Sequence, residues 1–431
     1  MKISSELDNE GDVTVEVPED SVEVVSLRRS NRSKEKVDYR ELHRKGVQHH
    51  LVHKLSKTKS KKVIIIKMKD MFRKVAGIMM AQVRKDSEHR QMNVKESVKK
   101  YGEDAVKAVL TEYAQLNDYS TFKPILGESL SWEKKKQSLD LITLVTKKRN
   151  GTVKGRACAN GKKQRRYISK EEVTSPTVQL ESLMLSILID SYEGRNVATA
   201  DVKGAYLLSD MKDFVVVRVH GEALNIMLKV QPEYNKFLTV EKGKKVLYLQ
   251  LLKALYGCVQ SALRWYETFT EVLMGLGFEL NPYDPCVANA TINNKQCTIC
   301  WYVDDTKISH EEEEVVKLVI KKMEEHFGKM KVSIGKDHTF VGMDFSLLPG
   351  RKVKIMMKKY IEECIETFEK VYGNLEGRAP TPGRYDLFEV DKSEDKLGEE
   401  KSDIFHHIVS KLLFVAKRAR LDIELVISFL G

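Results

Sequence analysis

The chain has 431 residues and 49.4 kDa, with 73 Lys and Arg against 62 Asp and Glu, so it carries +11 at a pI near 9.0. A hydrophobic content of 42% is enough for the cores of two or three folding units and excludes a wholly disordered chain. Six cysteines cannot staple a chain of this length and point to a reducing compartment, while the cationic surplus points to a polyanionic partner.

That surplus is unevenly spread. Residues 1–25 hold eight acids and one base, and residues 26–68 hold fourteen bases and three acids. An acidic start followed by a basic arm reads as a solvated leader without a packed core. Within the arm, Lys57 to Lys62 suits nucleic-acid binding, nuclear import or a plain solvated tether. The acidic first residues lack the apolar stretch of a secretory signal, so the chain is expected not to be secreted. No membrane span is expected either, because Val63 to Val83 is interrupted by Lys67, Lys69, Asp70, Arg73 and Lys74.

A helical lead-in is expected over residues 69–115, firm from Asn93, where Asn93 to Glu96 has the form of a capping box. After Gly102, the apolar positions Ala105, Val106, Val109, Leu110 and Tyr113 recur at helical spacing. Leu141 to Val145 then reads as a strand, Asn150-Gly151 as a hairpin turn, and Thr152 to Ala159 as the returning strand. Lys154 and Arg156 lie two apart and share one face of that strand. They are either solvated charges on an exposed ribbon or a pair of cations aimed at a phosphate.

Asn196 to Val202 is a short strand with Asp201 near its end. Ser261 to Leu276 puts Ala262, Trp265, Tyr266, Phe269, Leu273 and Leu276 on one helical face, which reads as core. Thr298 to Val303 and Thr306 to Ser309 are strands with Asp304-Asp305 at the turn between them, and Glu311 to Phe327 is an amphipathic helix opened by four acids. This order predicts an α+β fold with an antiparallel sheet. Cys297 and Cys300 have no second Cys or His pair nearby and read as core.

Adjacent carboxylates between apolar strands are costly to bury without a cation. With Asp201 on a neighbouring strand, three acids would suit two hard divalent ions, Mg²⁺ or Mn²⁺, the arrangement used for in-line phosphoryl displacement. These residues resemble reverse transcriptases of the copia-type (Pseudoviridae) retrotransposon branch. Tyr302-Val303-Asp304-Asp305 is similar to the active-site box, and Asp201 to Leu207 to the Asp-Val-Lys-x-Ala-aromatic-Leu box. Leu255-Tyr256-Gly257 with Gln260 and Trp265, Asn281 to Cys286, Phe340 to Asp344, Thr381-Pro382 and Phe405 to Leu430 follow in the branch's order. The likeness runs from about residue 110 to the end.

The resemblance implies a right-hand polymerase fold over residues 116–431. It places the fingers hairpin at about 141–166, the palm at about 190–346 and a connection with a partial helical thumb at about 347–431. It implies Asp201, Asp304 and Asp305 as catalytic metal ligands, with the Val202 carbonyl as a further ligand. Lys154, Arg156, Tyr206, Tyr256 and Gly257 would meet the incoming nucleotide, the Tyr206 ring screening the sugar 2′ position. Phe340, Val341, Gly342, Met343 and Asp344 would grip the primer end. The implied activity is RNA-directed DNA polymerisation. Its partners would be an RNA template, a DNA or RNA primer, dNTPs and other segments of a Pol polyprotein, in a cytoplasmic virus-like particle with a nuclear phase left open.

Ala262 stands where many members have Pro, and Leu421 interrupts an otherwise familiar Arg-Pro-Asp-Ile. The chain stops at Gly431, where the family usually continues into a ribonuclease H domain, and no protease box or His/Cys zinc module is found upstream. Two other readings fit the same residues: a retrotransposon remnant that binds nucleic acid without turnover, and a host protein that kept the fold for RNA binding.

Overall fold

Asn93 does cap a helix: its side chain accepts a hydrogen bond from the Glu96 amide at 2.9 Å. The computed structural model describes residues 91–148, 151–169, 173–375 and 397–431, together with 377, 379, 381–383 and 387–389. The leader expected over 1–68, residues 69–90 of the lead-in and Asn150 of the hairpin turn lie outside the described residues.

Strand β1 (Met92–Asn93) runs into α1 (Val94–Tyr101), and α2 (Glu103–Asp118) buries Ala105, Val109, Tyr113 and Leu116. Strands β2 (Phe122–Ile125), β3 (Leu139–Lys147) and β4 (Val153–Ala159) follow. β3 and β4 pair antiparallel from Leu141 opposite Ala159 to Lys147 opposite Val153. Gly155 and Ala157 of β4 are buried against α2, which leaves Lys154 and Arg156 exposed on the other face. The core holding Leu139, Leu141 and Val145 also holds Val94, Ala105 and Tyr113, so it is continuous across residue 115.

Helix α3 (Leu180–Glu193) leads to β5 (Asn196–Asp201), the first strand of a second sheet. The chain then returns to the first sheet through β6 (Val216–His220), α4 (Gly221–Val230), β7 (Thr239–Glu241) and β8 (Lys244–Leu251). β6 lies parallel to β3 and antiparallel to β8, closing a seven-stranded sheet. Residues 205–208 join the two cores: Ala205 packs into one, Leu207 into the other, and Tyr206 touches both.

Helix α5 (Ser261–Gly275) brings the chain back, followed by β9 (Glu279–Leu280), β10 (Val287–Ile292), β11 (Lys295–Tyr302) and β12 (Asp305–His310). Helix α6 (Glu313–Phe327) and β13 (Lys331–Gly335) complete a six-stranded sheet in the order β13-β5-β12-β11-β10-β9, antiparallel throughout. The apolar face expected of α6, Val315, Val316, Val319, Ile320, Met323 and Phe327, is buried. Trp265 and Phe269 of α5, Trp301 of β11 and Phe327 of α6 form an aromatic cluster with ring centroids 5.2–5.5 Å apart. Burying each such ring contributes about 1.5–3 kcal/mol, so this cluster fastens both helices to one face of the sheet.

A three-stranded sheet follows, made of β14 (Asp337–Phe340), β15 (Met343–Leu348) and β16 (Lys352–Met356). Helices α7 (Lys358–Tyr372), α8 (Glu399–Ala416) and α9 (Glu424–Leu430) end the chain. Arg420 forks Asp422 with two bonds of 2.8 Å, spanning the exposed Leu421. Among the described residues, no helix is long and apolar enough to cross a membrane.

Candidate active site

Strand register brings the acids together. Asp201 closes β5 and Asp305 opens β12, and the two are direct cross-strand partners, an arrangement that like charges disfavour. Asp305 is therefore part of the strand, and only Asp304 of the expected pair occupies the two-residue turn with Val303. The Asp304 carbonyl accepts from the Val202 amide at 3.1 Å, which pins the turn to the end of β5.

All three aspartates are half-buried. Burial, followed by the charges of Asp304 and Asp201, pushes Asp305 up to about 6. Asp304 is also raised, mainly by burial and then by Asp201, against the pull of its own amide, Arg156 and Lys154. No cation opposes the rise at Asp305. A site in this condition is short of positive charge.

The expected phosphate-facing residues reach the same place. The Arg156 guanidinium lies 4.6 Å from the centre of the Tyr256 ring, and that ring lies 4.4 Å from the Tyr206 ring. Burial and the nearby Asp304 charge raise both phenols, Tyr256 to about 12. A cation–aromatic–aromatic chain of contacts, the two rings tilted by 54°, thus links the β3–β4 hairpin to the acids. Glu112 of α2 stands behind it, accepting from the Ala157 amide at 2.8 Å and feeling Lys154 and Arg156. Lys163 is committed elsewhere, donating to the Ser138 carbonyl at 2.7 Å.

Gly257 has a backbone task here. Its φ is +89°, and a Cβ would fall 2.0 Å from the Ala159 carbonyl oxygen. A Cβ on Gly161 would likewise fall 2.2 Å from the Gly257 carbonyl oxygen, and the Ala159 amide donates to the Tyr256 carbonyl at 2.7 Å. Two glycines therefore let the end of β4 lie directly on the Tyr256 segment. Gly257→Ala is expected to cost about 3 kcal/mol through left-handed strain and backbone overlap. Urea unfolding measures this, and a cost under about 0.5 kcal/mol would show that the contact is dispensable.

The Phe340–Asp344 segment is a tight hairpin. Phe340 pairs with Met343, and the turn residues Val341 and Gly342 both have positive φ, +48° and +77°. Phe340 and Met343 are buried in the core, and the Gly342 turn lies against the Phe414 ring of α8. Phe340 and Asp344 also line a cleft of about 570 Å³ beside Asp201 and Asp305. Register and burial place Lys331 and His338 there too. Lys331 is the cross-strand partner of Asp201, whereas buried His338 bonds Thr199 (3.2 Å) and the Gly335 carbonyl (2.9 Å). Burial lowers the His338 pKa, which favours the neutral ring. Neither residue carries a signal in its local sequence, because both arrive through β13 and β14 pairing.

Cys297 and Cys300 are both fully buried in β11, and burial pushes the Cys297 thiol up to about 12, which makes them core residues and not metal-ready thiolates. Among the described residues, no cluster of three His, Cys, Asp or Glu side chains holds a metal by itself. Mg²⁺ seldom uses such a cage: one or two carboxylates, water and substrate phosphates complete its shell. Three carboxylates gathered at one strand end, with Asp304 and Asp305 raised above their ordinary range, fit that open kind of site.

The family model described as reverse transcriptase (RNA-dependent DNA polymerase) matches residues 130–379. The transposon Ty1-JR2 Gag-Pol polyprotein of Saccharomyces cerevisiae is 25% identical over 306 residues, covering 69% of this chain and 16% of its own length. The truncated transposon Ty1-A Gag-Pol polyprotein of the same yeast is 24% identical over 306 residues, 69% of this chain and 24% of its own length. This chain thus spans well under a third of the relatives it matches. Among solved structures, a foamy viral protease–reverse transcriptase in complex with double-stranded DNA aligns at a TM-score of 0.33 and 10% identity, over 70% of this chain and 38% of that one. The match to the family model covers more than half of the chain, and the Ty1 relatives align over 69% of it: the chain belongs to the reverse transcriptase (RNA-dependent DNA polymerase) family, in its copia-type retrotransposon branch.

Proposed function

We propose that this chain extends a DNA or RNA primer on an RNA template, joining dNTPs by attack of the primer 3′-hydroxyl on the α-phosphate with release of pyrophosphate. In this reading the seven-stranded sheet with α1 and α2 forms the fingers, and the six-stranded sheet forms the palm. β14–β16 and the closing helices form the connection and a partial thumb. The observation that carries it is the convergence of Asp201, Asp304 and Asp305 at one strand end, with no cation opposing the raised pKa of Asp305.

The three carboxylates and the Val202 carbonyl would hold two divalent cations, Mg²⁺ or Mn²⁺. Such ions, when bound, activate the attacking hydroxyl and neutralise charge on the leaving pyrophosphate. The chain's own residues do the rest. Lys154 and Arg156 meet the triphosphate from the exposed face of β4, and Arg156 is held in place by the Tyr256 ring. Tyr206 and Tyr256 wall the nucleotide site beside Asp304, and the Tyr206 ring crowds a ribose 2′-hydroxyl. Base choice comes from template pairing, and the protein supplies orientation and field.

The test is dTTP incorporation on poly(rA)/oligo(dT) with Mg²⁺ or Mn²⁺ by the folded full chain. Template-dependent extension is the expected result. Absence of incorporation from soluble, folded protein would favour a binding remnant and overturn the enzymatic reading.

A further inference from the structure

The turn that carries Asp304 is held in an unfavourable shape. Tyr302 and Asp305 are cross-strand partners, so Val303 and Asp304 alone reverse the chain. Val303 sits at φ +59°, a left-handed conformation that β-branched residues strongly avoid. Left to itself, a valine there would relax toward extended backbone and swing the Asp304 carboxylate away from Asp201.

Two donors oppose that relaxation on consecutive carbonyls. The Val202 amide bonds the Asp304 carbonyl at 3.1 Å. The indole Nε1–H of Trp265 bonds the Val303 carbonyl at 2.6 Å. Trp265 is only 1% exposed, and its ring is wedged against Phe269 and Phe327, each 5.3 Å away between centroids. A rigid aromatic anchor thus presents one N–H to the carbonyl of the strained residue, fixing the peptide plane that joins Val303 to Asp304. A Trp that only filled the core would still need some acceptor for its N–H. Here the acceptor belongs to the residue whose conformation places an acid.

We propose that Trp265 is a positioning residue: its indole N–H holds the Val303–Asp304 turn in the left-handed form that sets the Asp304 carboxylate against Asp201. The inference deepens the polymerase reading and rests on it for its catalytic consequence, but the hold on the turn exists whether or not the chain turns over.

The test is a cycle of Trp265→Phe, Val303→Gly and the double variant, read in two ways. Mass-spectrometric amide exchange over residues 301–306 of the metal-free protein reports the turn, and dTTP kinetics on poly(rA)/oligo(dT) report its use. Trp265→Phe is expected to speed turn exchange about tenfold and to lower kcat about tenfold, with KM within about threefold. Gly takes positive φ freely, so in the Val303→Gly background the same change should alter either readout less than about threefold. Equal losses in both backgrounds, or unchanged exchange in Trp265→Phe, would overturn the proposal. If Trp265→Phe does not fold, benzothienylalanine at position 265 keeps the bicyclic shape and removes only the donor; it should give the same exchange result. A wild-type chain that incorporates nothing, yet shows the exchange pattern, would sink the polymerase reading and leave the Trp265 assignment standing.

Discussion

Asp305→Asn is expected to produce two effects of opposite sign: a loss of dTTP incorporation of about 10³-fold or more, and a gain in thermal stability of the metal-free protein at neutral pH. The activity loss follows from removing one of three acids that would bind the cations. The stability gain follows from the raised pKa. In the folded protein Asp305 titrates at about 6, above its ordinary 3.8, because burial and two neighbouring acids disfavour its charge. The folded state therefore holds that proton more tightly than the unfolded chain does. Its stabilising contribution is present below about pH 4 and is lost as pH rises through about 6.

At pH 7.5 without metal, Asp305 is thus a charged liability that the neutral amide relieves. The expected gain is roughly 1–3 °C in Tm, kept small because the group is partly solvated. Near pH 4 the difference should vanish. Mg²⁺ should raise Tm of the wild-type chain at pH 7.5 and do so less at pH 5, where the proton competes. Calorimetry across that pH range with EDTA or Mg²⁺ decides the matter, and an Asp305→Asn protein that is less stable at pH 7.5 in EDTA would contradict it. Together, the two readouts distinguish an acid kept for chemistry from one kept for folding.

The parts of this site that could be read from the chain are those whose signal is local. An acidic pair between two apolar runs announces a hairpin, and the inward positions of α6 follow helical period, whereas the Phe340–Asp344 segment stands out only through the resemblance. Long-range pairing leaves no such trace. β6 and β8 lie between two strands of the six-stranded sheet in sequence but belong to the other sheet, because Val217 pairs with Leu139 and Leu249. Lys331 reaches Asp201 only once β13 is laid beside β5. Trp265 reads as core from its spacing, and it is core; its bond to Val303 depends on a carbonyl 38 residues away. Charge in the middle of an apolar strand misleads in the same way. Thr306 to Ser309 alternates as though Lys307 faced water, yet the side chains of Lys307 and Asp190 are both fully buried.

That pair carries the largest structural effect expected of the fold. The Lys307 ammonium of β12 donates to Asp190 of α3, with Ser309 Oγ as a second acceptor at 3.4 Å, while the other Asp190 oxygen has no partner among the described residues. Lys307 stands two residues from Asp305 and opposite Thr199, so the bond ties α3 to the sheet just behind the acids. Removing either partner leaves a charge stranded in a dry interior. Lys307→Met and Asp190→Ala should each cost about 3–5 kcal/mol, roughly a 5–15 °C fall in Tm. Replacing both with Met and Leu removes the stranded charge, and the double variant should regain most of that loss or exceed the wild type. Urea unfolding of the three proteins gives the coupling directly. Single costs below about 1 kcal/mol would mean that water reaches the pair and that it stabilises no more than a surface bridge. A double variant as stable as the wild type but slower in dTTP incorporation would show that the pair serves to place Asp305 and contributes nothing net to folding.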